Sequence, residues 1–337
     1  MHRNRIKLAP FDFTPVTQVK TTVPLTKSDK LKEMLKEHQV ELNNKIEQQH
    51  PDYKPASIDE EYKRHGDIHT PLGTAITAPP DGTYLPANHI KLGTSKGVIR
   101  SQFPTVDAVP LYRDTLAEKR ITVLVIIGED RILNYSFERK PYPIYFKDPQ
   151  YSYNDAESLA EFKGVLLPTD VSIEVSKLKL PNQQDISHTG KPIGIPVIHV
   201  NQWPDHESLS VEQLEELARY VNTIHSKKYS LYEQGGSRAA GTDQKALPFI
   251  HCSAGAGRTG QLIAAMELID PDSTRSLESI IKDMREQGGP YMVQAEDQMN
   301  KLITLAQKLG KPLWAKDEQP QRAPQAQAST SHSARFI

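Results

Sequence analysis

Two hydrophobic rhythms alternate along the chain. Leu31, Met34, Leu35, Leu42 and Ile46 keep roughly helical spacing. Ser28-Asp29 stands ahead of them as a cap, and Pro51 stops the helix. Between residues 51 and 88, prolines and glycines separate short apolar pieces, which predicts extended segments and turns. Arg120 to Ile127 is β-branched and continuously apolar, the pattern of a central strand buried on both faces. Residues 164 to 180 alternate through Val171, Ile173, Val175, Leu178 and Leu180, as hairpin strands do. Pro196 to Val200 reads as another buried strand. Ser210 with Gln213 forms a capping box, and Leu214, Leu217, Ala218, Val221 and Ile224 then make one helical stripe. A Gly/Ser/Asp-rich loop (233 to 245) leads to a short strand, Leu247 to Ile250. An apolar helix follows over Gln261 to Ile269, and two more fit residues 275–287 and 294–309. No internal repeat is visible. Strands and helices interleave without a strict βαβ rhythm, so the expected fold is α/β, a single domain with a twisted mixed β-sheet flanked by α-helices. Residues 1–25 are Pro/Thr-rich and residues 316–337 Gln/Ala/Ser/Pro-rich. Both lack periodicity and read as disordered, a leader and a tail around a domain at 26–315.

Composition narrows the class. Of 337 residues, 37% are hydrophobic and 25% charged, as in a soluble globular protein. Lys+Arg number 41 against 42 Asp+Glu, a net charge of -1, which removes the electrostatic argument for nucleic acid or an anionic membrane. The longest apolar run, Val123 to Ile127, is far short of the ~18 residues that span a bilayer. The basic start, Met1 to Lys7, is followed by no apolar run of signal-peptide length, which argues against Sec export and leaves other export routes open. The single cysteine excludes an intrachain disulfide and a cysteine-built zinc site.

That cysteine opens the most informative stretch: His251-Cys252-Ser253-Ala254-Gly255-Ala256-Gly257-Arg258-Thr259-Gly260, between a predicted strand and a predicted helix. The spacing is Cys-x5-Arg. Glycines let backbone N–H groups from Ser253 to Arg258 turn inward as an anion nest, and the following helix points its positive end at the same spot. Arg258 can grip two phosphate oxygens at once. The same positive field favours a thiolate, and a thiolate beside a bound phosphate is a nucleophile aimed at phosphorus. The Lys-Ser/Thr ending of a P-loop NTPase is absent. Upstream, Trp203-Pro204-Asp205 lies on a loop between a strand and a capped helix. Asp205 is either a general acid or a cap for a helix starting near Ser208.

The stretch around Cys252 resembles the signature of protein tyrosine phosphatases. The runs Pro196 to Asp205, Met292 to Gln298 and Leu305 to Leu313 are similar to the bacterial effector branch of that family. The resemblance implies that Trp203 anchors a mobile loop and that Asp205 acts as acid, then base. It implies that Gln294 places the attacking water, that Gln298 assists at the phosphate, and that the Thr259 hydroxyl bonds the departing thiolate. Gln294 and Gln298 are expected on one face of a helix start, and His251 is expected to orient the loop and support the thiolate through hydrogen bonds. Ser253, Ala254, Gly255, Ala256, Gly257 and Arg258 would cradle the phosphate. Ala254 and Ala256 stand where related phosphoinositide phosphatases tend to carry lysines, so a phosphoprotein is favoured over a lipid. No metal or other cofactor is implied, because amides and a guanidinium carry the charge. The partners implied are tyrosine-phosphorylated proteins, with a secretion chaperone at the leader, and the chain is expected as a monomer secreted into a host cytoplasm without a Sec signal.

One stretch departs from the family. Where an aromatic residue should stack on the phosphotyrosine ring, Lys63-Arg64-His65-Gly66-Asp67 offers His65, while Asp67 suits the role of holding the substrate backbone. An imidazole has less apolar area than a phenyl ring, which leaves a catalytically weak phosphotyrosine-binding module as the alternative to an enzyme. The acid expected to pair with Arg258 is Glu129 or Asp130.

Overall fold

The computed structural model describes residues 25–93, 97–128, 142–153, 162, 165, 168, 171–180, 194–205, 207–234 and 246–315. The expected leader apart from residue 25, the expected tail, and Glu129 and Asp130 lie outside them. Six helices are described: α1 (Lys27–Glu47), α2 (Val109–Glu118), α3 (Val211–Gln234), α4 (Gly257–Leu268), α5 (Leu277–Gly288) and α6 (Glu296–Lys308). The strands are β1 (Ala75–Ala78), β2 (Thr83–Ile90), β3 (Val98–Ser101), β4 (Ile121–Ile127), β5 (Ser152–Tyr153), β6 (Ile173–Leu178), β7 (Ile195–Val200) and β8 (Leu247–His251).

The eight strands form one mixed sheet in the order β1-β2-β3-β8-β4-β7-β6-β5. Its middle, β3, β8, β4 and β7, is parallel, and antiparallel strands close both sides. Pairing explains why β4 is apolar at every position but one: it is hydrogen-bonded on both edges and covered on both faces. Val123, Val125 and Ile127 face the core under α1, α3, α4, α5 and α6. Leu124 and Ile126 face a second core under α2, with Tyr145 and Phe146. Each such side chain contributes roughly 1.5–3 kcal/mol by its removal from water. The one polar residue of the strand, Thr122, is satisfied by the Nδ1 of His225 on α3 at 2.7 Å.

Helix ends differ from the sequence expectation in two places. The cap of α1 is Thr26, whose hydroxyl accepts from the Asp29 N–H while the Asp29 carboxylate accepts from the Thr26 N–H; Ser28 is already helical. Helix α4 starts at Gly257, four residues before the apolar stripe that predicted it, because its first turn belongs to the cysteine loop. Elsewhere the reading matches: Ser210 and Gln213 exchange both bonds of the capping box, at 2.9 and 3.1 Å. The alternation over 164–180 yields one described strand of that stretch, β6, whose antiparallel partners are β7 and β5 rather than a neighbour within the run.

Candidate active site

Parallel strands β8, β4 and β7 end on the same side of the sheet, and the chemistry-bearing loops follow those ends. Cys252 is the first residue after β8 and is buried. The loop behind it docks on the end of β3: the Phe103 N–H donates to the Ser253 carbonyl at 2.9 Å. Gly255 has φ +67°, and a Cβ there would lie 2.8 Å from the Gln102 nitrogen and closer still to the Ser101 carbonyl. Only glycine fits that approach. Ala256 caps α4 with no side-chain hydrogen bond, so the first N–H groups of the helix are not taken by a cap side chain and present the positive end of its dipole to the loop.

Arg258, in the first turn of α4, is buried. Its Nη1 donates to the Trp203 carbonyl at 2.7 Å, and its Nη2 meets the Asp205 carboxylate at 2.9 Å. Trp203 is fully buried, and its indole N–H donates to the Glu207 carbonyl at 3.1 Å. The Trp-Pro-Asp loop is thus pinned at both ends of one short arc. Asp205, half exposed, is turned to Arg258, and the helix that follows takes its cap from Ser210 instead.

His65 sits at the rim of the loop, its Nε2 2.8 Å from the Ser253 hydroxyl. That hydroxyl also lies 2.7 Å from the Tyr142 hydroxyl. His65 is therefore tied to the phosphate-type loop by a hydrogen bond as well as placed at its edge. Asp67 is exposed nearby in the same turn. His251 lies below the loop. By strand alternation it points to the sheet face opposite Cys252, where its Nε2 meets the Tyr145 hydroxyl at 2.7 Å and its ring packs edge-on against Phe103. Burial pushes its pKa down to about 3, helped by His199, so the imidazole is neutral. Its contacts tie the end of β8 to Tyr145 and Phe103 just before the cysteine.

The glutamine pair also needs correction. Helix α6 begins at Glu296, so Gln294 precedes it, after Val293 at φ +61°. Gln294 is exposed and Gln298 buried. Gln298 folds back so that its Oε1 accepts from the Gln294 and Ala295 N–H groups, both at 3.1 Å, while its Nε2 donates to the Glu207 carbonyl at 3.4 Å. It also abuts Gly257, where a Cβ would lie 3.0 Å from the amide. Gln298 thus joins the Gln294 turn, the start of α4 and the Trp-Pro-Asp loop. Thr259 is fully buried, and its hydroxyl has no hydrogen-bond partner among the described residues.

Three contributors carry no sequence signal, because each acts across a long separation. Gln102 accepts from the Arg64 and His65 N–H groups at 3.0 and 2.9 Å and donates to the His65 carbonyl at 3.1 Å, fixing the His65 turn. Arg64 lies 3.7 Å over the Tyr142 ring and donates to the Pro104 carbonyl at 2.9 Å. Tyr142 completes the chain to Ser253.

Comparison with known proteins agrees with this geometry. Residues 60–308 match the family described as Protein-tyrosine phosphatase. Tyrosine-protein phosphatase YopH of Yersinia pseudotuberculosis is 34% identical over 266 residues, which is 78% of this chain and 54% of that protein. Secreted effector protein SptP of Salmonella paratyphi A is 28% identical over 233 residues, 68% of this chain and 39% of that protein. The chain spans about half the length or less of these relatives. Among solved structures, PTPN18 in complex with HER2-pY1196 phosphopeptides superposes with a TM-score of 0.59 at 16% identity, covering 83% of this chain and 92% of that one. Trypanosoma cruzi TcPTP1 does so with a TM-score of 0.56 at 20% identity, covering 86% and 97%. With the family match over most of its length and a relative above 30% identity, the chain belongs to the protein-tyrosine phosphatase family.

Proposed function

We propose that the chain hydrolyses phosphotyrosine in proteins through a phosphocysteine intermediate. The observation that carries this reading is the grip of Arg258, which reaches both the Trp203 carbonyl and the Asp205 carboxylate from the helix that follows the Cys252 loop. The acid and the anion clamp thereby meet at the helix start that follows the loop of the nucleophile.

In the first step the Cys252 thiolate attacks phosphorus and the bond from phosphorus to the tyrosine oxygen breaks. Asp205 delivers a proton to that oxygen. The loop N–H groups of Ser253, Ala254, Gly255, Ala256 and Gly257, with Arg258, stabilise charge on the equatorial oxygens. In the second step water held by Gln294 attacks the phosphocysteine and Asp205 takes its proton. Phosphate departs, and the Thr259 hydroxyl donates to the released thiolate. Trp203 anchors the acid loop. Gln298 aligns the Gln294 turn, and His251 supports the cysteine loop from the opposite face. At the rim, His65 stands against the substrate ring and Asp67 holds its backbone.

The setting follows from the relatives. SptP is a secreted effector, and we extend that role to this chain: a monomer exported without a Sec signal, acting on host phosphoproteins. Residues 1–25 would then serve as export and chaperone segment, 26–315 as catalytic domain and 316–337 as tail. No helix among the described residues is long and apolar enough to cross a membrane. The test is phosphate release from a phosphotyrosine peptide and from a phosphoserine peptide, beside Cys252→Ser. Release from the phosphotyrosine peptide alone, abolished in Cys252→Ser, is expected. Binding of that peptide with no release by the intact protein would favour a phosphotyrosine-binding module.

A further inference from the structure

A second arginine lies close to the cysteine, on the strand next to it. Arg100 belongs to β3 and stands opposite Ile250 of β8 in the parallel register. Cys252 is two residues further on, so the two side chains leave the same face of the sheet on neighbouring strands. Arg100 is fully buried. Its Nη2 donates to the His69 carbonyl at 3.1 Å, whereas its Nε and Nη1 have no partner among the described residues.

No carboxylate among the described residues pairs with this guanidinium. Burial pushes its pKa down to about 10, which leaves it cationic at neutral pH, and the groups that oppose the fall are Tyr53, Tyr112 and Cys252. Burial holds both phenols well above their ordinary range, so neither is an anion there. Of these three groups, the Cys252 thiol is the one that the proposed chemistry uses as an anion. From the other elements around the cysteine come Arg258, whose charge is shared with Asp205, and the neutral His251, which faces the opposite side. On α5, the buried Arg285 is directed to backbone carbonyls, that of Met292 among them.

A buried charge with no partner is costly unless the fold uses its field. We propose that Arg100 is a positioning residue for the nucleophile, a second cation that stabilises the Cys252 thiolate from beneath its loop. The inference rests on the reading of Cys252 as nucleophile. It explains why a strand residue next to the signature is an arginine where apolar burial would serve stability better.

The test measures the thiolate itself, independently of phosphatase turnover: the rate of Cys252 alkylation by iodoacetamide between pH 5 and pH 9.5. Arg100→Met is expected to slow alkylation about ten-fold near pH 6 and to leave it unchanged at the alkaline end, where the thiolate forms without help. Arg100→Gln keeps a donor for the His69 carbonyl without the charge and should behave like Arg100→Met, while Arg100→Lys should restore most of the wild-type profile. A merely structural arginine would lower thermal stability in all three and leave the alkylation profile in place, which would overturn the proposal. If the neutral variants fold poorly, their profiles are read beside wild type in the same stabilising osmolyte buffer: slowed alkylation near pH 6 supports the proposal and an unchanged profile overturns it. Failure of the phosphatase reading would show separately, as absent phosphate release by a wild-type protein that still alkylates readily at pH 6.

Discussion

Adding one methyl group at Gly255 should disable the site while leaving most of the fold in place. Two effects act there. The residue holds φ +67°, which is unfavourable for alanine by about 1–2 kcal/mol. The added Cβ would also lie 2.8 Å from the Gln102 nitrogen and closer still to the Ser101 carbonyl, all backbone atoms of the strand end that supports the loop. Neither side can yield by rotating a side chain, so the loop must shift by about 1 Å. A shift of that size at reacting atoms lowers turnover by roughly 10²-fold, and crowding adds about 1–3 kcal/mol of destabilisation. Gly82→Ala separates the two effects, because Gly82 has φ +73° with nothing within 4 Å of its Cβ position. That control should lose about 1–2 kcal/mol, a fall in Tm of roughly 2–4 °C per kcal/mol, with normal kcat/KM. The assay is kcat/KM on a phosphotyrosine peptide alongside thermal unfolding of both variants. If Gly255→Ala keeps kcat/KM within about three-fold of wild type, the docking of the loop on β3 is not what sets its catalytic geometry.

Further outcomes follow from the same geometry. Asp205→Asn should lower kcat by about 10²-fold or more in steady-state assays, through loss of the proton donor. Gln298→Ala should leave the Gln294 and Ala295 N–H groups without their acceptor, destabilise the start of α6 by about 1 kcal/mol in denaturant titration, and slow hydrolysis of the phosphocysteine more than its formation, as trapped intermediate would reveal. His251 is neutral when folded, with its pKa near 3, against about 6.5 when unfolded. The unfolded chain therefore binds the extra proton between those values, so His251 favours folding above pH 6.5 and that contribution falls as pH drops toward 3, by about 1 kcal/mol per pH unit. Replacing His251 with Asn should flatten the acid limb of a stability-against-pH curve by about that slope, read by chemical denaturation from pH 7 to pH 5.

The sheet was legible where burial alone decided the pattern. The run from Arg120 to Ile127 reads as a central strand, and β4 (Ile121–Ile127) is one, because a strand paired and covered on both faces is almost wholly apolar. Cys252 and Arg258 were legible because the chemistry of their site is local: one loop, one turn of helix. The rest failed where contacts are long-range. Gln294 shares the spacing of a helical pair with Gln298, but the backbone turn at Val293 delays the helix and the amide of Gln298 folds back as its cap. The side on which His251 points depends on strand alternation across the cysteine, and its partner Tyr145 is 106 residues away. The bond that ties His65 to Ser253 spans 188 residues and left no local mark in the sequence. Arg100 left no trace in the pattern at all, since a buried charge breaks the rule by which strands are recognised.

The arrangement of Arg258 has a consequence for how ligands and the acid loop are linked. The Nη2 group that meets Asp205 belongs to the guanidinium that must hold a phosphate dianion, and a guanidinium has only five donors. The carboxylate of the protein and an oxyanion in solution are therefore rivals for the same cation, and each must weaken the other's hold by the same factor. Removing the carboxylate should tighten binding of inorganic phosphate, vanadate and phosphopeptide alike, even as it slows turnover. Asp205 thus also acts as a built-in competitor, setting a threshold that an anion must exceed before the site accepts it.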